Sequence, residues 1–232
     1  MRFAVIGTGK MGTAVAEAAI RAGHSVPVRI GGAENRNQQA LTVDRLGDAD
    51  VAIEFSRPET AVANLTRLVE LGIPVVTGTT GWYDEIPTMQ TTVRTHDGSL
   101  LYGPNFSIGA ALFQATAVAL AGRLAGRAEF DLVIAESHHR QKRDAPSGTA
   151  KALRDALRAV LPARELAIVS TRLGWIPGTH SVLADARSES IELTHTVRDR
   201  AVFAEGAVLA AEWLRGKKGF HHFHEVLEGE TR

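Results

Sequence analysis

Residues 2–12 read RFAVIGTGKMG, an apolar run that breaks into closely spaced glycines and continues as Met11, Val15, Ala18 and Ala22 at helical spacing. The pattern predicts strand, tight turn, helix. Gly7-x-Gly9-x-x-Gly12 in that context is the dinucleotide fingerprint. Gly7 permits the turn, Gly9 lets backbone approach a pyrophosphate, and Gly12 lets helix and strand pack closely. Phosphate is then expected on the helix N-terminus, where unpaired N–H groups and aligned peptide dipoles favour an anion, and Lys10 adds charge.

Outward from this turn, further strands are expected at Ser25 to Ile30, Asp50 to Phe55, Ile73 to Thr77 and Leu100 to Tyr102. Helices open at Pro58 and cover residues 84–95, while residues 31–37 read as turn and those from there to 47 carry no clear pattern. Strands alternating with helices predict an α/β fold with a doubly wound parallel sheet of the Rossmann type. After Pro104 the composition changes, and a second, mixed α/β domain is expected. Its helices cover 108–125 and 147–160, and its strands 130–135, 166–171 and 191–197. A last helix at 203–214 carries Ala207, Ala210, Ala211 and Leu214 on one stripe. The expected division is a dinucleotide-binding domain at 1–106 and 202–232, and a substrate-binding and oligomerisation domain at 107–201.

Composition narrows the function classes. With 26 basic and 26 acidic residues the net charge is zero, which argues against binding nucleic acid or an anionic membrane through bulk charge. The 232 residues include no cysteine, so no disulfide is possible, and a chain this long buries enough surface to need none. No apolar run is long enough to span a membrane, and no leader pattern follows Met1, so a cytoplasmic protein is expected.

Two local patterns carry chemistry. The second strand ends Val28-Arg29-Ile30 without the acid that would hydrogen-bond the ribose hydroxyls of NAD; Arg29 is placed to pair with a 2′-phosphate, which favours NADPH over NADH. Glu136 to Ala150, ESHHRQKRDAPSGTA, interrupts an apolar strand and helix with five potentially cationic side chains between 138 and 143. Pro146-Ser147-Gly148-Thr149 is a helix start whose N–H groups can hold a carboxylate. Cations beside an anion-binding helix end suggest a small acidic substrate. Histidine, and a lysine crowded by cations, can both donate protons near neutrality. Adjacent histidines without an acid or cysteine at ligand spacing argue against a metal. Arg172-x-Gly174-x-x-Pro177-Gly178-Thr179-His180 is read as a turn that closes the same pocket. His221, His222 and His224 are expected at the surface or an interface, and Trp82, Trp175 and Trp213 in packing.

The combination resembles the 4-hydroxy-tetrahydrodipicolinate (dihydrodipicolinate) reductases of the diaminopimelate route to lysine. The resemblance spans nearly the whole chain. It rests on GTGKMG at 7–12, EFSRPE at 54–59, GTTG at 78–81, PNFS at 104–107, ESHHRQKRDAPSGTA at 136–150, RLGWIPGTH at 172–180 and FAEGAV at 203–208. It implies that His138 is the catalytic histidine and Lys142 the proton donor, with His139, Gly148 and Thr149 binding the substrate carboxylates. It further implies that Gly7, Thr8, Gly9, Lys10, Met11 and Gly12 hold the coenzyme pyrophosphate. Gly78, Thr79 and Thr80 then meet the nicotinamide end, which Gly103, Pro104, Asn105 and Phe106 border at the domain hinge; Arg200 and Phe203 carry over more weakly. A homotetramer built through the second domain's sheet is implied too, and no metal. The segment between the SGTA helix and Arg172 is shorter than in family members of familiar length, and Glu54 stands where Asp is usual. The alternatives are another amino-acid or imino-acid dehydrogenase on the same nucleotide domain, or a non-catalytic NAD(P)H-sensing regulator.

Overall fold

Five apolar runs of the first hundred residues form β1 (Arg2–Ile6), β2 (Ser25–Ile30), β3 (Val51–Glu54), β4 (Val75–Thr77) and β5 (Ser99–Tyr102). A sixth strand, β10 (Gly219–His222), returns from the far end of the chain to pair with β5. The computed structural model describes residues 1–228. All six strands are parallel, in the order β10-β5-β4-β3-β1-β2. Because β2 and β3 flank β1 on opposite sides, the switch point of the sheet lies between β1 and β3, where such sheets open a binding crevice at their carboxyl edge.

Strands of a parallel sheet covered on both faces read as continuous apolar runs. Phe3, Ala4, Val5 and Ile6 are accordingly all buried. On one face Ala4, Ile6, Ala52, Val75 and Leu100 join the buried stripes of α3 (Pro58–Glu70) and α4 (Ile86–Thr95) in one core cluster. On the other, α1 (Lys10–Arg21) and α7 (Ala201–Leu214) pack against each other and the sheet. The segment after β2, where the sequence offered turn residues and then no pattern, makes a 3₁₀ turn at Arg36–Gln38 and a short α2 (Val43–Leu46). It closes a corner of the core with the fully buried Leu41 and Leu46.

The strands of this sheet belong to a first compact unit, Met1–Ser107 with the chain from Ala201 on; the second is Ile108–Arg200. The second comprises α5 (Ile108–Leu124), β6 (Asp131–His138), α6 (Gly148–Val160), β7 (Ala167–Arg172), β8 (Gly178–Ala186) and β9 (Glu189–Val197). Its sheet runs β7-β6-β8-β9, with β6 parallel to β7 and β8 antiparallel to both neighbours. Phe113, Ala117, Leu153 and Leu157 of α5 and α6 cover one face, over Ile134 and Val182. The opposite face is uncovered and rich in hydroxyls, with Val169 55% exposed.

Several expectations need correction. The residues from 178 on are not turn but β8: the turn occupies 173–177, with Gly174 at φ 45°, and His180, Val182 and Ala184 then alternate inward with period two. Strand β6 runs on to His138, so the polar cluster begins inside the sheet. His221 and His222 lie in β10, and His222 and His224 are only partly exposed, with His224 opening the short α8 (His224–Glu228). Trp82 is buried, but Trp175 is 79% exposed and packs no core. Among the described residues no helix is long and apolar enough to cross a membrane.

Candidate active site

Strand register assembles the polar cluster of the second unit. Ile134, Glu136 and His138 share one face of β6, and the ladder sets Glu136 beside Ser170 of β7 and His180 of β8, and His138 beside Arg172. Glu136, fully buried, takes His138 Nδ1 on one oxygen at 2.5 Å and Arg172 Nη2 on the other at 2.7 Å. The same Arg172 nitrogen donates to the Asp144 carbonyl at 2.6 Å, and Asp144 Oδ1 pairs with Lys142 Nζ at 2.9 Å. Behind them Ser147 caps α6, its Oγ accepting the Ala150 N–H at 3.2 Å and meeting His180 Nε2 at 3.0 Å. His139 Nδ1 is buried with no hydrogen-bond partner among the described residues, Gly148 is exposed, and Thr149 is partly buried. The sequence thus brings together His138, His139, Lys142, Arg172 and His180, and the structure adds Glu136 and Ser147. The signal for Glu136 was its i, i+2 spacing to His138 on a continuing strand.

The electrostatics follow from this geometry. Burial pushes the Glu136 carboxyl up, but the Arg172 guanidinium and His138 outweigh it and hold it below the usual range. Burial lowers His138, Glu136 pulls it back, and Lys142 and Arg172 lower it further, for a net depression. With Glu136 ionised, His138 donates its Nδ1–H to it and keeps Nε2 for proton exchange. Glycine at 178 leaves that nitrogen open, since a Cβ there would sit 3.0 Å from it.

A metal reading gains the acid that the sequence expectation lacked, since ligand atoms of Glu136, His138 and His180 lie within 4.8 Å of one another. The arrangement is nevertheless that of a proton network. His138 Nδ1 is hydrogen-bonded to the Glu136 carboxylate, and Arg172 already neutralises that carboxylate.

His180 carries a testable consequence. Burial first, then the neighbouring His138, lowers it from 6.5 to about 4. Between those values the unfolded chain binds a proton that the folded one refuses, so stability is fully present above pH 6.5 and lost as pH falls toward 4. The displacement is worth on the order of 3 kcal/mol. Urea unfolding followed from pH 7 to 4.5 should show this loss, and His180→Asn should flatten the slope; parallel slopes would rule the assignment out.

In the first unit, Gly7 ends β1 at φ 105°, and a Cβ there would fall 2.0 Å from the Phe55 carbonyl oxygen at the end of β3. One at Gly12 would fall 1.8 Å from the Gly7 carbonyl oxygen. Thr8, Gly9 and Lys10 are exposed and Met11 partly so; α1 starts with no capping side chain and no acid in its first turn. That uncapped start behind a glycine turn fits a pyrophosphate. Arg29, exposed, donates to Thr13 Oγ1 at 3.3 Å. Glu34, the first acid after β2, is engaged by the Gly31 N–H at 2.9 Å and by Arg45 at 3.1 Å. Gly78 leaves room for the Phe55 ring, and Thr80 is exposed. Thr79 turns inward, its Oγ1 accepting the Ser56 N–H at 2.8 Å. The buried Glu54 ties β3 to β4, accepting from Ser56 and from Thr77 Oγ1 at 2.6 Å. Gly103 and Phe106 are buried, the latter's ring against Phe55 and Phe223, while Pro104 is exposed and Asn105 Oδ1 accepts the Ser107 N–H.

The family models for the N-terminus and the C-terminus of dihydrodipicolinate reductase match residues 1–106 and 109–227. The chain belongs to the dihydrodipicolinate reductase family. Relatives named 4-hydroxy-tetrahydrodipicolinate reductase include one from Christiangramia forsetii, 34% identical over 98% of both chains. Another, from Haloarcula marismortui, is 33% identical over 98% of this chain and 99% of the relative. In fold, the reductase resembles a dipicolinate-bound dihydrodipicolinate reductase from Paenisporosarcina sp. TG-14, with TM-score 0.83, 22% identity, and 96% and 97% of the two chains covered. Membership makes this chain an NAD(P)H-dependent oxidoreductase with a Rossmann-type coenzyme domain.

Proposed function

We propose that the chain reduces 4-hydroxy-2,3,4,5-tetrahydrodipicolinate to 2,3,4,5-tetrahydrodipicolinate and water, in the diaminopimelate route to lysine, with Lys142 and His138 moving the protons. The observation that carries the assignment of roles is the Glu136–His138 pair beside Lys142, next to the N-terminus of α6 that Ser147 caps. Gly148 and Thr149 at that start, with His139, hold the substrate carboxylates, and a carboxylate competes with Asp144 for Lys142. The 4-hydroxyl leaves as water with a proton from the adjacent ring carbon, which forms a conjugated imine. Protonation on its ring-nitrogen side by Lys142, assisted by His138, makes C4 electrophilic, and the enamine left after reduction takes a proton back at that carbon. Bound NAD(P)H supplies the hydride to C4. Gly7 to Gly12 hold its pyrophosphate, and Gly78 to Thr80 its nicotinamide end. Thr79 does so through backbone, its hydroxyl being engaged by Ser56. Gly103 to Phe106 border that end, Phe106 likewise by backbone, since its ring belongs to the core.

NADPH is the proposed preference, because Arg29 bonds Thr13 and has no acidic partner among the described residues, and Glu34, the first acid after β2, is already engaged. The uncovered face of the second unit's sheet is assigned to further copies of the chain, in a homotetramer. A cytoplasmic location is part of the same proposal, in keeping with a soluble coenzyme and substrate.

The test follows NADPH and NADH absorbance separately with enzymatically generated substrate. Decay with NADPH, slowed competitively by pyridine-2,6-dicarboxylate, is expected; no decay with either coenzyme overturns the assignment. Arg29→Ala should raise KM for NADPH by about 10–100-fold, as for a lost charged hydrogen bond, and leave KM for NADH unchanged. Oxidation of diaminopimelate or aspartate with NAD(P)⁺ would instead favour an amino-acid dehydrogenase.

A further inference from the structure

Glu136 is a buried charge that the proposed chemistry leaves without a task. Its side chain is wholly excluded from solvent, on a strand with a neighbour on each side. Stripping a carboxylate of water is costly, and a buried ion pair is weak evidence for stability. Both of its oxygens are committed, one to His138 and the other to Arg172. Arg172 reaches on to the Asp144 carbonyl, and the Asp144 carboxylate holds Lys142. One carboxylate therefore touches His138 directly and the loop bearing Lys142 through a single guanidinium. The charged and titratable groups around the His138 ring are Lys142 from the loop, Arg172 from β7, His180 from β8 and Glu136 from its own strand; Glu136 is the one anion among them.

We propose that Glu136 is a positioning residue for proton transfer: it fixes His138 as the Nδ1–H tautomer with Nε2 free, and through Arg172 it anchors the loop that carries Lys142. The inference rests on His138 and Lys142 being the proton-transfer pair.

Steady-state kinetics of Glu136→Gln, Glu136→Asp, His138→Gln and the Glu136→Gln/His138→Gln double variant test it. Glu136→Gln should lose about 10–100-fold in kcat, part of the ~10²–10⁴ that acid–base groups supply, with KM for NADPH unchanged. The pH limb belonging to the imidazole should move to lower pH, because the carboxylate hydrogen-bonded to it is gone. Glu136→Asp, which keeps the charge, should recover part of the rate. The double variant should be slower than His138→Gln alone by less than the loss Glu136→Gln causes by itself, since without His138 only the anchoring of the Lys142 loop is left to lose. Wild-type kcat and pH profile in Glu136→Gln, or losses that multiply in the double variant, would overturn the proposal. Nitrogen-15 spectra of wild-type imidazoles need no variant to fold, and an Nε2–H tautomer at His138 would overturn it as well. If His138→Gln itself turns over normally, the proton-transfer assignment fails; if it is crippled while Glu136→Gln is not, only the role of Glu136 fails.

Discussion

Lys142→Ala is expected to lower turnover by about 10²–10⁴-fold, the contribution of a lost general acid. The loss should fall mainly on kcat, with a smaller rise in KM for substrate because the ammonium also faces a carboxylate. Stability should hardly change. The pair with Asp144 leaves the two side chains 26% and 53% exposed, and such pairs contribute only about 0–1 kcal/mol. Unfolding by urea alongside the kinetics separates these outcomes: lost rate with an unchanged transition supports the role. Near-normal turnover removes Lys142 from the mechanism.

The second large effect concerns the glycine turn. A Cβ at Gly12 would stand 1.8 Å from the Gly7 carbonyl oxygen, a backbone atom that cannot step aside like a flexible side chain. Gly12→Ala must push α1 off β1, at a cost of about 1–3 kcal/mol or more by analogy with overpacked cores, and coenzyme binding should be lost with the geometry. Gly9 is the control. A Cβ there meets nothing within 4 Å, and its φ of −74° suits any residue. Gly9→Ala should therefore fold with wild-type stability yet bind NADPH more weakly, because the methyl occupies space reserved for the pyrophosphate. Equal stability of the Gly12→Ala and Gly9→Ala proteins would contradict this division of labour.

The first unit was legible because each signal was local. RFAVI and the GTGKMG turn state strand and turn in adjoining residues, and Pro58 marks a helix start by itself. The second was less so, because its decisive features are long-range. His180 reads as the end of a turn until β8 is seen to lie antiparallel to β6, which sets it opposite Glu136. Glu136 itself was quoted in its motif but given no task, since nothing in one strand's sequence says that an arginine 36 residues later returns to its carboxylate. The glycine of FAEGAV likewise looked incidental. A Cβ at Gly206 would lie 1.7 Å from the Phe106 carbonyl oxygen, so α7 rides directly on backbone a hundred positions earlier.

That last contact bears on synthesis. The second unit's strands and helices are all synthesised by residue 200, before α7 and β10 of the coenzyme sheet. Until those segments emerge, the nascent chain shows an apolar sheet surface and an unpaired β5 border, the features that recruit chaperones or unwanted neighbours. Translation that pauses with residues 108–200 outside the ribosome and α7 and β10 not yet emerged would leave a finished second unit attached to an unsealed nucleotide fold.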